Sequence, residues 1–258
     1  MPTIQPQTTP APQSPLVAMS PAVAPPSEEQ SHFKLPKLRL EVRDLSHKGS
    51  SIFLSTTNAV DALQKACQSV LKLLYLSPHE STTNAPPTRS VTLILRDMPG
   101  VAYTTGTELD NDHKEIHLSL RYVTSISPET RQAKEIEGVI THELVHCFQH
   151  NGHGTCPGGL IEGVADWVRL RCDLSPPHWK KDGSGKWDAG YQHTGYFLEY
   201  LEQRFGQGTV RRLNEKLRLR RYEEKAFWTE LVGRPVVDLW EDYGKTLENG
   251  KHSETSSQ

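Results

Sequence analysis

A chain of 258 residues with 35% hydrophobic side chains has room for one globular domain and does not require a second. Its 29 basic side chains stand against 31 acidic ones, a formal net charge of −2, which excludes a global field drawing the protein to nucleic acid or to an acidic membrane. No window of about 18 apolar residues occurs, so no membrane-spanning helix is expected. The four cysteines, at 67, 147, 156 and 172, lack the CxxC spacing of a structural zinc knuckle.

Residues 1–32 open the chain with a proline-rich segment. Eight of the 18 prolines fall in the first 30 residues, together with no aromatic side chain and only Glu28 and Glu29 as charges. Such a segment buries too little apolar surface to offset chain ordering and is expected to be disordered. Its short apolar runs are interrupted by proline, so no signal peptide is recognised and a soluble protein is expected. The folded domain is placed at 33–248, with a flexible tail at 249–258.

Within the domain, residues 37–45 alternate Leu38, Leu40 and Val42 with charged side chains, the period of a half-buried strand. Val60, Leu63, Cys67, Val70, Leu71 and Leu74 recur at helical spacing behind Asn58, which predicts a helix over 58–75 with Asn58 as its cap. Pro78, Pro86 and Pro87 mark a loop. Three short β-rich runs follow at 90–97, 101–105 and 115–120. Segregated strands and helices of this kind read as an α+β fold with a small mixed sheet followed by a helical half.

The helical half contains His142-Glu143-Leu144-Val145-His146, on a helix expected over 129–150 whose first turn suits Pro128 and Glu129. The two histidines lie one turn apart on one face, so both imidazoles reach one metal ion, and Glu143 stands beside them. Two nitrogens and a carboxylate are what a zinc-activated water needs, but a catalytic zinc usually has three protein ligands. His150 continues the row, yet its Cα lies about 12 Å along the axis from that of His142, too far for one shell. The metzincin register wants Gly and His where the chain has Gln149 and Gly152, and it fails. Glu162 opens a second amphipathic segment, about 160–172, after the glycine-rich turn 151–159 that reverses the chain and brings it back to the histidines. Arg169 and Arg171, off the apolar side of that segment, are expected to stay solvated. Cys156 and Cys172 flank it and are expected to be free thiols.

An HExxH pair followed by a glutamate, with an aspartate four residues further on, resembles the gluzincin arrangement of thermolysin-like peptidases. That resemblance implies Glu162 as third ligand and Asp166 as the carboxylate bracing a ligating histidine. An alternative in which Asp166 holds the metal and Glu162 is its neighbour stays open. The longer run from His142 to Cys172, and then from Trp187 to Gln203, is similar to the plant basic secretory protein family and its fungal and bacterial relatives. The match is specific over 142–203 and extends from about 35 to 245. It implies a zincin-like metallopeptidase domain holding one zinc ion. The family is often secreted, whereas the absence of a recognised signal peptide leaves the cytoplasm or non-classical secretion as expectations. Zincins present an edge strand beside the metal, on which an extended substrate lies, and residues 115–120 are the candidate because they precede the site helix.

Beyond the second helix, the loop 173–187 holds Trp179 and Trp187, each expected either to line the cleft or to cap the core. Tyr191 and His193 begin a helix ending near Gly206; zincin peptidases use a Tyr or His as oxyanion donor, so either could serve, and Tyr191 is the first candidate. From 209 to 225 seven basic residues meet three acidic ones, a solvated amphipathic face rather than a nucleic-acid patch, since no aromatic residues interleave the arginines. Two last helices are expected at 223–232 and 235–247.

The expected function is zinc-dependent peptide hydrolysis with Glu143 as general base, by a monomer acting on peptide or protein substrates. The alternative is a catalytically weak or inactive relative that keeps the fold as a binding protein.

Overall fold

The computed structural model describes residues 33–81 and 83–255, so the disordered segment expected at 1–32 lies outside the described residues. Alternating apolar and charged side chains form β1 (Lys37–Val42). It stops short of 45 because Asp44 accepts from the backbone N–H groups of Ser46 and His47, a side-chain turn that competes with the strand ladder. α1 (Lys48–Thr56) follows, an element without a clear apolar stripe and absent from the sequence reading. In α2 (Ala59–Tyr75) the Asn58 side chain accepts from Val60 N and Asp61 N, and Leu63, Cys67, Val70, Leu71 and Leu74 are buried. Each large side chain on that stripe contributes about 1.5–3 kcal/mol of burial.

The sheet contains β2 (Ser90–Arg96), β3 (Ala102–Gly106) and β4 (His113–Ser119) as well as β1, in the order β1-β2-β4-β3. β1 and β4 flank β2 in parallel, and β3 closes the sheet antiparallel to β4. The edge strand beside the site helix is therefore β3, not residues 115–120, of which 115–119 lie in the interior strand β4. Val91, Leu93, Ile94 and Leu95 in β2 and Ile116 and Leu118 in β4 are all buried, as interior strands with both faces covered require. β3 instead alternates half-buried with exposed positions. Tyr103 stacks on His117 of β4, ring centroids 4.5 Å apart, holding the edge in register.

After α3 (Leu120–Ser125) and a 3-10 turn at Glu129–Arg131, α4 (Gln132–His146) runs through the middle of the domain. Ile136, Val139, Ile140, Leu144 and Val145 are buried around it, against α2, α5 (Gly158–Arg171) and the sheet. The helix ends four residues before the expected 150.

The remaining helices are α6 (Tyr191–Phe205), α7 (Thr209–Leu219), α8 (Glu224–Val232) and α9 (Val236–Thr255). α9 runs on past 247 into the stretch 249–258 expected as a flexible tail, since each added helical residue gains a backbone hydrogen bond once the helix is nucleated; residues 256–258 lie outside the described ones. α5 and α6 approach closely through glycines. A Cβ on Gly163 would lie 2.3 Å from Thr194 Cγ2, and one on Gly159 would lie 1.8 Å from Asp188 O. Trp187 is buried among Phe197 and Trp228 and so belongs to the core. All four cysteines are free. Among the described residues no helix is long and apolar enough to cross a membrane.

Candidate metal centre

Helical spacing on α4 sets His142 Nε2 and His146 Nε2 3.3 Å apart. From α5, Glu162 places Oε2 3.1 Å from His142 Nε2 and Oε1 3.8 Å from His146 Nε2. One donor atom from each of the three lies within 4.8 Å of the others. Four ligands around zinc at ~2.0–2.1 Å in a tetrahedron stand about 3.3 Å from one another, so the two ring nitrogens already have that spacing and a small turn of the Glu162 carboxylate completes it. His150 is turned elsewhere, its Nε2 meeting the Asn84 carbonyl at 3.0 Å.

The outer nitrogens of the two rings also have partners. His142 Nδ1 donates to Asp166 Oδ1 at 2.7 Å, which leaves Nε2 facing Glu162. Asp166 is thus one turn beyond Glu162 and behind the histidine. His146 Nδ1 lies 2.7 Å from the amide Nε2 of Gln149, whose Oε1 is buried without a partner. A half-turn of that amide places Oε1 on Nδ1, so that the ring donates, the orphaned oxygen is satisfied and the Nε2 lone pair is free for a cation. Gln149 is three residues after His146, a helical spacing legible in the sequence.

The charges favour a cation at the same point. Burial lowers the His142 pKa, but Asp166 and Glu162 reverse that and lift it to about 9. Burial and the neighbouring His142 charge push His146 down to about 4. Acidic side chains around the two rings thus favour positive charge at this point, while the closeness of the rings opposes a proton on both, a demand that a compact divalent ion meets.

Glu143, buried at 6% exposure, faces the same cleft. Thr104 of β3 donates to its Oε2 at 2.7 Å and to its backbone carbonyl at 3.0 Å. Burial raises the Glu143 pKa, opposed by the His142 charge and by the Thr104 hydroxyl. Nothing in the sequence around Thr104 signals this contact, which depends on where β3 lies in the sheet.

Tyr191 is the first residue of α6, in the left-handed region at φ 48°. Its ring lies nearly parallel to that of His142, centroids 6.2 Å apart, and the Glu162 carboxylate raises its pKa, so it remains a proton donor. The close approach at Gly159 and Gly163 permits this placement. His193 is directed away, its Nε2 meeting Ser184 O at 2.8 Å while the ring packs on Trp240.

His142, Glu143, His146, Glu162, Asp166 and Tyr191 line a cleft of about 910 Å³ that also takes in β3 residues 102–104, Trp179 and Arg169. Trp179, unlike Trp187, lines the cleft. The expectation that Arg169 is solvated is corrected: it is 7% exposed and its Nη2 meets Glu135 Oε1 at 2.8 Å. The missed signal is the spacing 162, 166, 169, which places Arg169 on the metal-facing side of α5. Arg171 is more open and pairs with Glu199 at 3.3 Å.

Fold and site together define a mixed α+β domain with an HExxH helix lining this cleft. The chain belongs to the basic secretory protein family: the family model described as peptidase of plants and bacteria matches residues 35–243. No curated protein and no solved structure is significantly similar to it.

Proposed function

We propose that this protein is a zinc-dependent metallopeptidase with a zincin-like, gluzincin-type domain. The observation that carries the reading is the convergence of His142, His146 and Glu162, one donor atom from each lying within 4.8 Å of the others, with Asp166 behind one ring and Glu143 beside the cluster. Membership in a peptidase family supports it.

In this reading one zinc ion is held by His142, His146 and Glu162, and when bound it supplies an acidified water and a charge that polarises the scissile carbonyl. Glu143 takes the proton of the attacking water at its carboxylate and later delivers it to the leaving amine. Thr104 holds that carboxylate in place, and Asp166 fixes the His142 tautomer. Tyr191 donates from its hydroxyl to the developing oxyanion. The outer side of β3, which no strand among the described residues pairs, offers backbone groups on which an extended peptide lies by strand addition. Substrates are peptides or unfolded protein; nucleic acid and membranes are not partners, and the protein acts as a monomer.

Zinc content and hydrolysis of casein, measured on the wild type and on Glu143→Gln, test the reading. The expected result is one zinc per chain in both, with hydrolysis removed by chelator in the wild type and absent from the variant. A zinc-loaded wild type without chelator-sensitive hydrolysis would instead favour the binding-protein alternative.

A further inference from the structure

The cleft wall two turns from the metal donors carries a buried cation that the hydrolytic reading does not use. Arg169 follows Glu162 by seven residues on α5, and its partner Glu135 precedes His142 by seven on α4, so both helices place the ion pair about 10 Å from the metal point. The side chains of Arg169 and Glu135 are only 8% and 7% exposed, yet both residues line the cleft, with Tyr122, His178 and Trp179 beside them.

The charges there do not cancel. Glu135 Oε1 accepts from Arg169 at 2.8 Å and from the Tyr122 hydroxyl at 2.7 Å, while Oε2 accepts from Arg131 at 2.9 Å. Two guanidinium groups thus share one carboxylate, leaving one surplus positive charge. Arg169 Nε donates to Leu174 O at 3.0 Å. Its Nη1, with two of the five guanidinium N–H donors, has no hydrogen-bond partner among the described residues.

The guanidinium is also held in place. It lies over the Trp179 ring, Cζ 5.2 Å from the centroid, and a Cβ on Gly138 would come within 2.6 Å of Nε. Immobilising a charge in a cleft wall with donors to spare is costly for folding alone, because a buried ion pair rarely outdoes apolar packing. It suits a ligand that brings the missing negative charge in planar, two-oxygen form.

We propose that Arg169 is a specificity-determining residue that binds a carboxylate of the substrate two to three residues from the bond that is cut. An extended chain advances about 3.3 Å per residue, so three residues span the offset of about 10 Å between Arg169 and the metal donors. The carboxylate is either the C-terminus of a short peptide or an acidic side chain within a longer one. This inference rests on the peptidase reading for its register but not for the binding itself.

Two sets of internally quenched peptides test it on the full-length, zinc-loaded protein. One compares a free C-terminal acid with its amide, and the other compares Glu with Gln at each position within three residues of the cut. The wild type should show kcat/KM higher by about 10- to 100-fold for the carboxylate-bearing member of one set. In Arg169→Gln/Glu135→Gln, which removes both members of the buried pair and leaves Arg131, whose side chain is 31% exposed, to be solvated, that ratio should fall to near one. The ratio is internal to each protein, so a general loss of activity does not imitate the effect. Binding of the same peptides, fluorescently labelled, to Glu143→Gln with and without the double substitution gives a readout without turnover. A wild type lacking the preference, or a preference that survives in the double variant, overturns the assignment of Arg169. A carboxylate preference in binding without hydrolysis of any peptide by the wild type would leave Arg169 standing and remove the peptidase reading.

Discussion

The hydroxyl of Thr104 donates to the Glu143 carboxylate across 2.7 Å, joining the edge strand β3 to the HExxH helix. The strand proposed to carry the substrate thus also positions the group proposed to take the proton. Thr104→Val should lower kcat about tenfold while leaving KM within about twofold, because a hydrogen bond to a buried charged group is worth about 1.5 kcal/mol or more. Thr104→Ser should restore most of the loss. Steady-state kinetics on the three proteins decides the matter, and unchanged kcat in Thr104→Val would show that Glu143 needs no such anchor.

Glu162 and Asp166 are carboxylates one turn apart, but the structure gives them different neighbours. Glu162 lies 3.1 Å from His142 Nε2 and Asp166 lies 2.7 Å from Nδ1 of the same ring. Glu162→Ala should abolish stoichiometric zinc binding at micromolar metal, whereas Asp166→Asn should weaken it about 10- to 100-fold. Zinc titration of both variants against a chromophoric chelator checks this; the opposite ranking would make Asp166 the ligand.

Gln149 should act on the second histidine as Asp166 acts on the first. Replacing its amide with an isosteric thioether in Gln149→Met leaves His146 Nδ1–H without an acceptor and should weaken zinc about tenfold or more. Gln149→Glu, which keeps an acceptor, should retain wild-type affinity or exceed it. Equal affinity in all three would mean that His146 needs no partner at Nδ1.

The buried ion pair predicts how stability changes with acid. Burial pushes the Glu135 carboxyl up, but Arg169, Tyr122 and Arg131 together outweigh burial and hold it below the ordinary value of 4.5. A carboxyl depressed in the folded state contributes stability that is present above its unfolded pKa and is lost as pH falls through the folded one. Glu135→Gln strands the Arg169 charge and should cost about 3 kcal/mol at pH 7. The gap between wild type and variant in urea unfolding should then narrow as pH drops below about 4. A gap independent of pH would show that the ionised carboxylate is not what matters.

Much of the candidate site was legible because it is written in helical periodicity. His142, Glu143 and His146 share one stretch of α4, Glu162 and Asp166 share one face of α5, and the glycine-rich turn announces that the helices run side by side. The same arithmetic extends to Gln149 and Arg169, three residues after His146 and seven after Glu162, on the faces that carry the metal donors. Arg169 falls off the apolar stripe, a position that predicts solvation, but a partner helix can bury a charge there when it brings a carboxylate such as Glu135.

What sequence determined by itself is the set of local elements: the capped helix α2, the strands near 90, 102 and 115, the site helix and the Glu162 segment. Each follows from a period of 2 or 3.6 residues and a cap or breaker next to it, all within one turn or hairpin. Which strand forms the edge, which tryptophan meets the cleft and which hydroxyl holds Glu143 were decided only by tertiary structure. Strands 90–96 and 113–119 are adjacent in the sheet although β3 lies between them in the chain. Sheet order depends on how helices and hairpins jointly bury their apolar faces, and no property of a single segment records that choice.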